Sequence, residues 1–545
     1  MKQRNFLPLQ LFAACLVGLL LGKFCFGTSK EKVELSLFNG RLSKMQSVIN
    51  IIDNKYVDPL DIDSLNELII PDVLAHLDPH TSYIPAQKLA DVEKKILGHF
   101  YGIGIEHYTF DDTAMVISVM PDSPASKSDI KPGDRILKVD DTDVTGRKAK
   151  DKVSAALKGE RDTPTVLTLK RYGVDSTVTV HVQRGNVPVP STTASYMIDS
   201  ITGYIKIDNF GDNSYREFVE RVIRLRDDGA TNLVIDLRNN LGGRVEQAKL
   251  IASEILGCGD TIVFTIGRDN TIEDLYIDTT QYGFCQDMSI ACLVDSRTAS
   301  AAEILAAAIQ DNDRGVIVGL RTFGKGLVQT PIQMPDGSQV RLTTYRYYTP
   351  SGRSLQKGYS NYDNDLPNRF KNGELDSASA FKPVDTTKYF TKSGRVVYSK
   401  SGVMPDVFVP LDHTLLPNVA YRLDSMLITM RFAAFKYNQL GFDNPQQYIH
   451  MLFANEEQTY DELLAFARSK GLDIDLRKQK KAIADAMPMV MAALRADAYH
   501  IVGDEDMSAK YYNFEDDAVS AAVEVLGDSH GMQDILNNKK TKPNE

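Results

Sequence analysis

The chain has no tryptophan, five cysteines and nine histidines in 545 residues. With so few thiolate and imidazole groups, and none at ligand spacing, nothing points to a metal site or an organic cofactor. Basic charge is also short. A net charge of −10, with no Lys/Arg cluster interleaved with aromatics, argues against a nucleic acid partner. Past residue 27 only Cys258, Cys285 and Cys292 remain. Cys258 and Cys285 flank a β-like run and are the candidates for a disulfide in an oxidising compartment, leaving Cys292 in a buried strand pattern. What is present, 43% apolar and 25% charged residues, suffices for two or three cores.

The two ends differ from the middle. Lys2 and Arg4 precede an apolar run over residues 6–22, blemished by Pro8 and Gln10, which has the length of a signal peptide and is marginal for a spanning helix. Export is expected. Cleavage after Gly27 fits the small residues of Cys25-Phe26-Gly27, and an uncleaved anchor fits equally; Lys23 and Phe24 disfavour lipidation of Cys25. From about residue 412 the apolar spacing becomes helical, through NVAYRLDSMLITMRFAAFKY, DELLAFARSK and AIADAMPMVMAALRADAYHIV. These helices are expected to pack on the core or on one another. The closing NNKKTKPNE has the composition of a disordered tail.

Chemistry concentrates in residues 298–329. Ser300 opens the Ala-rich run AAEILAAAIQ, and Lys325 lies between two glycines in TFGKGLVQT. A serine hydroxyl needs a base, and a lysine becomes one only when burial lowers its pKa from about 10.4. Phe323, Leu327 and Val328 offer apolar surroundings, and Gly324 and Gly326 a turn without bulk. Ser300 and Glu303 also read as a capping box, a role compatible with catalysis because a hydroxyl there sits beside free N–H donors. Residues 319–325 fit G-x-x-x-x-G-K, but Gly326 stands where a phosphate loop needs Ser or Thr, and a strand-like run follows.

Two further patterns matter. In LVIDLRNNLGGRVEQA a buried-strand run over residues 233–237 ends in a glycine pair and then a helical pattern, a turn whose N–H groups can point at one spot. Residues 97–184 alternate in short strands around SPASKSDIKPGDRILKVDD, with one helix-like stretch over 148–157, and form a small, mostly β module. Its YGIGIEHY is no dinucleotide fingerprint, since His107 occupies the third glycine position. Residues 361–385 read as a surface loop.

The segment SRTASAAEILAAAIQDNDRGVIVGLRTFGKGLVQT resembles the catalytic segment of the C-terminal processing peptidases, or tail-specific proteases, of serine peptidase family S41. In that family a serine precedes a helix, a lysine base follows twenty-five residues later in TFGKG, and a glutamine four further on orients it. Ser300, Lys325 and Gln329 match; Ala302 departs from the serine of many members, outside the dyad. The resemblance implies an oxyanion hole from the glycine turn and the amide after the nucleophile, hence Gly242, or Gly243, and Ala301. Residues 97–184 resemble a PDZ domain, in which Tyr101, Gly102, Ile103, Gly104 and Ile105 match the loop that captures a peptide's terminal carboxylate as the peptide adds a strand. His76 and His80, in LAHLDPHTSYIP, belong to a segment that resembles a structural motif of the family, and so stay outside the catalytic set.

The implied fold class is α/β: an S41-type, ClpP/crotonase-like protease core with an inserted β-rich PDZ-like domain and helices at both ends. The expected divisions are a leader over 1–27, a helical region over 28–96, the PDZ-like domain over 97–185, the core over 186–411, a second helical region over 412–535 and a tail over 536–545. The implied activity is a serine endopeptidase, free of metal or cofactor, that recognises exported proteins by free apolar C-termini. It would act in the periplasm, soluble after leader cleavage or anchored in the inner membrane; a homo-oligomer and a substrate-presenting adaptor are both compatible. A non-cleaving C-terminus-binding protein of the same fold is disfavoured by the intact Ser300, Lys325 and Gln329. A Ser–Lys esterase is disfavoured because it has no need of a tail reader.

Overall fold

The computed structural model describes residues 43–94, 99–146, 148–360, 362–383, 385–411, 418–440, 444–475 and 478–537. The expected leader, with Cys25, and all but two residues of the expected disordered tail lie outside them. Among the described residues no helix is long and apolar enough to cross a membrane. The chain divides into two units, residues 1–76 and 77–545. In the first, α1 (Ser43–Lys55) precedes α2 (Ile62–Ala75), whose N-cap Asp61 accepts from the N–H of Asp63.

The larger unit opens with β1 (Ser82–Ile84) and α3 (Ala86–Lys94). A β-rich module follows, made of β2 (His99–Gly102), β3 (Ile105–Phe110), β4 (Thr113–Val119), β5 (Arg135–Val139), β6 (Thr142–Asp143), α4 (Ala149–Leu157), β7 (Pro164–Lys170), β8 (Val178–Gln183) and β9 (Gly185–Pro188). Burial alternates along its strands with the period of two that the sequence carries: in β7, Thr165, Leu167 and Leu169 are buried. The sheet runs β3-β4-β5-β7-β8, so β3 is an edge strand. Antiparallel pairing of β2 with β9 ties together the points where the chain enters and leaves the module.

The core comprises β10 (Thr192–Met197), β11 (Thr202–Ile207), α5 (Ser214–Asp227), β12 (Asn232–Asp236), α6 (Val245–Ile255), β13 (Thr261–Ile266), β14 (Ile272–Ile277), β15 (Ser289–Val294), α7 (Ala301–Asp311), β16 (Val316–Gly319), β17 (Leu327–Gln333), β18 (Gln339–Tyr348), α8 (Asp365–Lys371), β19 (Lys388–Phe390), β20 (Val396–Tyr398) and β21 (Val407–Phe408). A six-stranded sheet, β10-β11-β12-β15-β16-β21, is parallel except for β10. Every residue of β12 is buried, as a parallel strand covered on both faces requires. A second sheet, β1-β18-β13-β14 with β17 on β18, is antiparallel.

The C-terminal region is helical: α9 (Asn418–Ser425), α10 (Ile428–Leu440), α11 (Pro445–Leu452), α12 (Glu456–Ser469), α13 (Lys480–Ile501), α14 (Glu505–Tyr512), α15 (Asp517–Gly527) and α16 (Ser529–Leu536). It divides its packing between two partners. Val519, Ala522, Leu526 and Met532 cover one face of the parallel sheet over Val234, Leu293 and Val318, while α5, α6 and α7 cover the other. The helices before them enclose Phe110 and Ile117 of the β module.

An ionic triad adds to that second contact. His500 on α13 meets Glu106 on β3 and Glu505 on α14, each at 2.8 Å. Burial opposes the imidazolium, but the two carboxylates outweigh it and raise its pKa to about 10. Because the folded value exceeds the ordinary 6.5, the stabilisation is complete below about pH 6.5 and disappears as pH rises through 10. The Tm should therefore fall more steeply from pH 6.5 to 10 in the parent than in a His500→Gln variant. Parallel curves would show that the triad contributes nothing.

Two expectations need correction. Cys258 and Cys285 do not pair: all three described cysteines are free thiols. Cys258 is exposed beyond α6, whereas Cys285 is inside the core, where burial pushes its thiol up to about 12. Nor is the segment around residues 361–385 merely a surface loop. It contains α8, buries Leu375 and the guanidinium of Arg369, and places Glu374 between Arg321 and Arg369 at 2.5 and 2.9 Å. A buried cation needs such a partner, and the segment folds inward to supply it.

Candidate active site

Adjacent parallel strands β12 and β15 deliver two loops to the same end of the sheet, the place where open α/β sheets hold their ligands. The loops are stitched together. Thr298 donates its hydroxyl to the carbonyl of Leu237 at 2.9 Å, and the N–H of Ala299 reaches the carbonyl of Asn240 at 2.9 Å. Ser300 follows at the N-terminus of α7 with φ 58° and ψ −119°, a conformation few side-chain-bearing residues adopt and one associated with exposed nucleophiles on sharp turns.

Ser300, Lys325 and Gln329 share one cavity of about 670 Å³ with Gly243, Val328 and Arg341. None of residues 101–105 lines it. The Lys325 side chain is half-buried, and its ammonium has no hydrogen bond or ion pair among the described residues. Burial holds its pKa below the ordinary value; Arg341 acts in the same direction, while Glu303 and Asp78 oppose it. Gln329 donates its side-chain amide to the carbonyl of His80.

Glu303 does more than the expected capping. It is wholly buried. One carboxylate oxygen accepts the N–H of Ser300 at 3.0 Å and of Lys325 at 2.7 Å; the other accepts the N–H of Gly324 at 2.7 Å and the hydroxyl of Thr322 at 2.5 Å. Burial raises its pKa, against the pull of those four donors. A single carboxylate thus locks the serine turn to the lysine turn.

The glycine turn also differs in detail from the expectation. The N–H of Gly242 is committed to the side-chain oxygen of Asn240 at 2.8 Å, so Gly242 is not the free donor of an anion site. Leu241 and Gly243 line the cavity, and their N–H groups, like that of Ala301 at the start of α7, have no partner among the described residues. Gly242 matters for a steric reason: a Cβ there would lie 2.8 Å from that of Ser300 and 3.0 Å from the Ala301 nitrogen, at φ +98°.

Residues 77–84, expected to be structural, include His80, whose backbone carbonyl accepts from Gln329. β1 pairs with β18, with Ser82 opposite Arg341. His80 bonds the Tyr362 hydroxyl through Nε2. Burial first, then Lys325, lowers the His80 pKa to about 4, so its imidazole is neutral.

In the β module, Tyr101 and Gly102 end β2 and Ile105 begins β3, leaving Ile103 and Gly104 as the connection. Gly104 has φ +80°, and a Cβ there would lie 2.2 Å from that of Ser123. The N–H groups of Ile103 and Gly104 have no partner among the described residues, and they adjoin an open strand edge. Such an edge is where an extended peptide adds a strand. Among the described residues no group of three His, Cys, Asp or Glu side chains is placed to hold a metal ion.

The sequence model of peptidase family S41 matches residues 201–363, and that of the PDZ domain matches residues 101–182. A carboxy-terminal-processing protease of Bartonella bacilliformis is 32% identical over 320 residues, which are 58% of this chain and 73% of that protein. A probable CtpA-like serine protease of Staphylococcus haemolyticus is 31% identical over 315 residues, 58% of this chain and 62% of that protein. Among solved structures, the photosystem II D1 C-terminal processing protease aligns at 26% identity and a TM-score of 0.36, over 67% of this chain and 92% of that one.

Proposed function

Because the chain belongs to the carboxy-terminal-processing proteases of peptidase family S41 and is on that ground a serine-type endopeptidase, we propose that Ser300 is its nucleophile, Lys325 its general base, and the 101–105 loop its reader of substrate tails. The observation that carries this reading is the pairing of a strained serine with a half-buried ammonium that has no partner among the described residues, in one cavity, their turns locked by the same carboxylate oxygen.

As a free amine, Lys325 takes the proton of the Ser300 hydroxyl while the oxygen attacks the scissile carbonyl. The oxyanion faces the N–H of Ala301 and the Leu241–Gly243 side of the turn. The lysine ammonium then gives its proton to the leaving amine, and water hydrolyses the acyl-enzyme. Gln329, fixed on the His80 carbonyl, aligns the lysine. The substrates are exported proteins with free apolar C-termini, met on the periplasmic side; the apolar run over residues 6–22 supports that placement. Protease accessibility of the catalytic domain in intact cells and spheroplasts would test it, and a cytoplasmic pattern would overturn it.

The test of the whole reading uses leader-free protein and an unstructured polypeptide ending in apolar residues, with its carboxylate free or amidated. Amidation should raise KM by roughly 10-fold or more with kcat little changed, since a carboxylate hydrogen-bonded to backbone N–H groups contributes about 1.5–3 kcal/mol. Along the pH axis, kcat/KM should rise with unit slope and level off above the lowered lysine pKa, because only the amine form acts. Indifference to amidation would remove the tail reader, a flat pH profile would remove lysine as base, and binding without cleavage would leave a capture protein.

A further inference from the structure

The turn after β12 is held partly from the far end of the chain. Asp236 ends β12 and is buried, and Arg238 folds back on it, with Nε 3.1 and 3.0 Å from the two carboxylate oxygens and Nη2 at 2.7 Å. Lys206 on β11 bonds Asp236 at 3.3 Å and the carbonyl of Arg238 at 2.5 Å. Burial alone would raise the Asp236 pKa, but Lys206 and Arg238 prevail and bring it to about 2. Nη1 of Arg238 is then taken by Asp516 at 2.7 Å.

Asp516 is not a wandering surface carboxylate. It is the N-cap of α15, and its Oδ1 accepts from the N–H groups of Ala518 and Val519 at 2.9 and 3.0 Å. Its Oδ2 is the oxygen on Arg238. The helix is itself seated on the parallel sheet through Val519, Ala522 and Leu526. From Arg238 the turn runs without slack to the nucleophile: the N–H of Asn239 donates to Asp295 at 3.1 Å, Asn240 bonds the carbonyl of Ile207 and the N–H of Gly242, and Gly242 abuts Ser300.

We propose that Asp516 is a positioning residue for the catalytic turn: by holding Arg238 against Asp236 it fixes the backbone of residues 238–243 beside Ser300. A helix beyond residue 363, where the family match ends, thereby becomes part of the working site. The inference rests on the peptidase reading above.

Asp516→Asn is the informative change, because asparagine caps helices as well as aspartate but presents no charge to the guanidinium. It should lower kcat roughly 10-fold with KM within about twofold, since small misplacements of a catalytic frame act on the chemical step. Labelling of Ser300 by a serine-reactive phosphonate should slow in the same proportion, with the Tm nearly unchanged. In an Arg238→Gln background the same substitution should cost nothing further, the signature of two residues acting as one. Parental kcat in Asp516→Asn, a loss matched by the unfolded fraction, or a full additional loss on top of Arg238→Gln would each overturn the proposal. A parent that neither cleaves nor labels would instead overturn the peptidase reading, and this inference with it.

Discussion

Ser300→Ala is expected to reduce kcat by about 10⁴-fold or more while leaving the Tm where it was. The backbone strain at φ 58° is unaffected, because serine already carries the Cβ that makes that conformation costly. Only the hydroxyl is lost. Lys325→Ala should fall to a similar level, and so should Lys325→Arg, since a guanidinium keeps its proton and cannot act as base at any working pH. The double variant should be no worse than either single one, because a nucleophile without its base, or a base without its nucleophile, has already lost the shared step. Initial rates on the free-carboxylate polypeptide, with circular dichroism to confirm folding, make the comparison. Retention of more than about a hundredth of parental kcat by Ser300→Ala would exclude it as nucleophile.

The second large effect is expected at Glu303. Glu303→Ala strands four donors, two of them buried (on Thr322 and Gly324) and two part-buried (on Ser300 and Lys325), and opens a void beneath the serine and lysine turns. Losing the partner of buried polar groups costs about 1–3 kcal/mol for each group left unsatisfied; a total of about 3–5 kcal/mol, with partial relaxation, follows. Activity should drop about 10³-fold in molecules that remain folded, because the serine and lysine turns lose their common anchor. Glu303→Gln is the sharper test. It fits the space, yet its amide nitrogen must face either the N–H groups of Ser300 and Lys325 or that of Gly324, donor against donor. Thr322 cannot relieve the second case freely, because its oxygen also accepts the N–H of Val403 at 2.7 Å. Thermal unfolding and kcat measured together decide the matter, and a glutamine variant of parental stability and rate would refute the anchoring role.

Much of this was readable in the residues because it is local. The unbroken apolar run before Asp236 marks a doubly covered strand, and the spacing of Ser300, Lys325 and Gln329 follows one motif. The alternation in residues 164–170 shows which side chains face inward. The partners of Glu303 were not readable. Its cap with Ser300 spans three positions, but its bonds to Thr322, Gly324 and Lys325 depend on how α7 and the following strand return to one another. Gly242 and Gly243 are indistinguishable on paper; the side chain of Asn240 decides which N–H is spent. Nothing in residues 77–84 says that β1 pairs beside Arg341. The separation of Cys258 from Cys285 likewise follows from one end of the run being exposed and the other in the core. The C-terminal stretch announced itself as helical, but amphipathic spacing does not name the surface a helix will cover.

That covering has a consequence in time. The parallel sheet keeps Val234, Leu293 and Val318 dry only when Val519, Ala522 and Leu526 lie over them. During synthesis the N-terminal parts fold first, at about 5–20 residues per second. For roughly ten seconds or more after β12 emerges, the sheet therefore waits with one face bare. The core therefore cannot reach its finished state until the helices that carry Val519, Ala522, Leu526 and Met532 have been made.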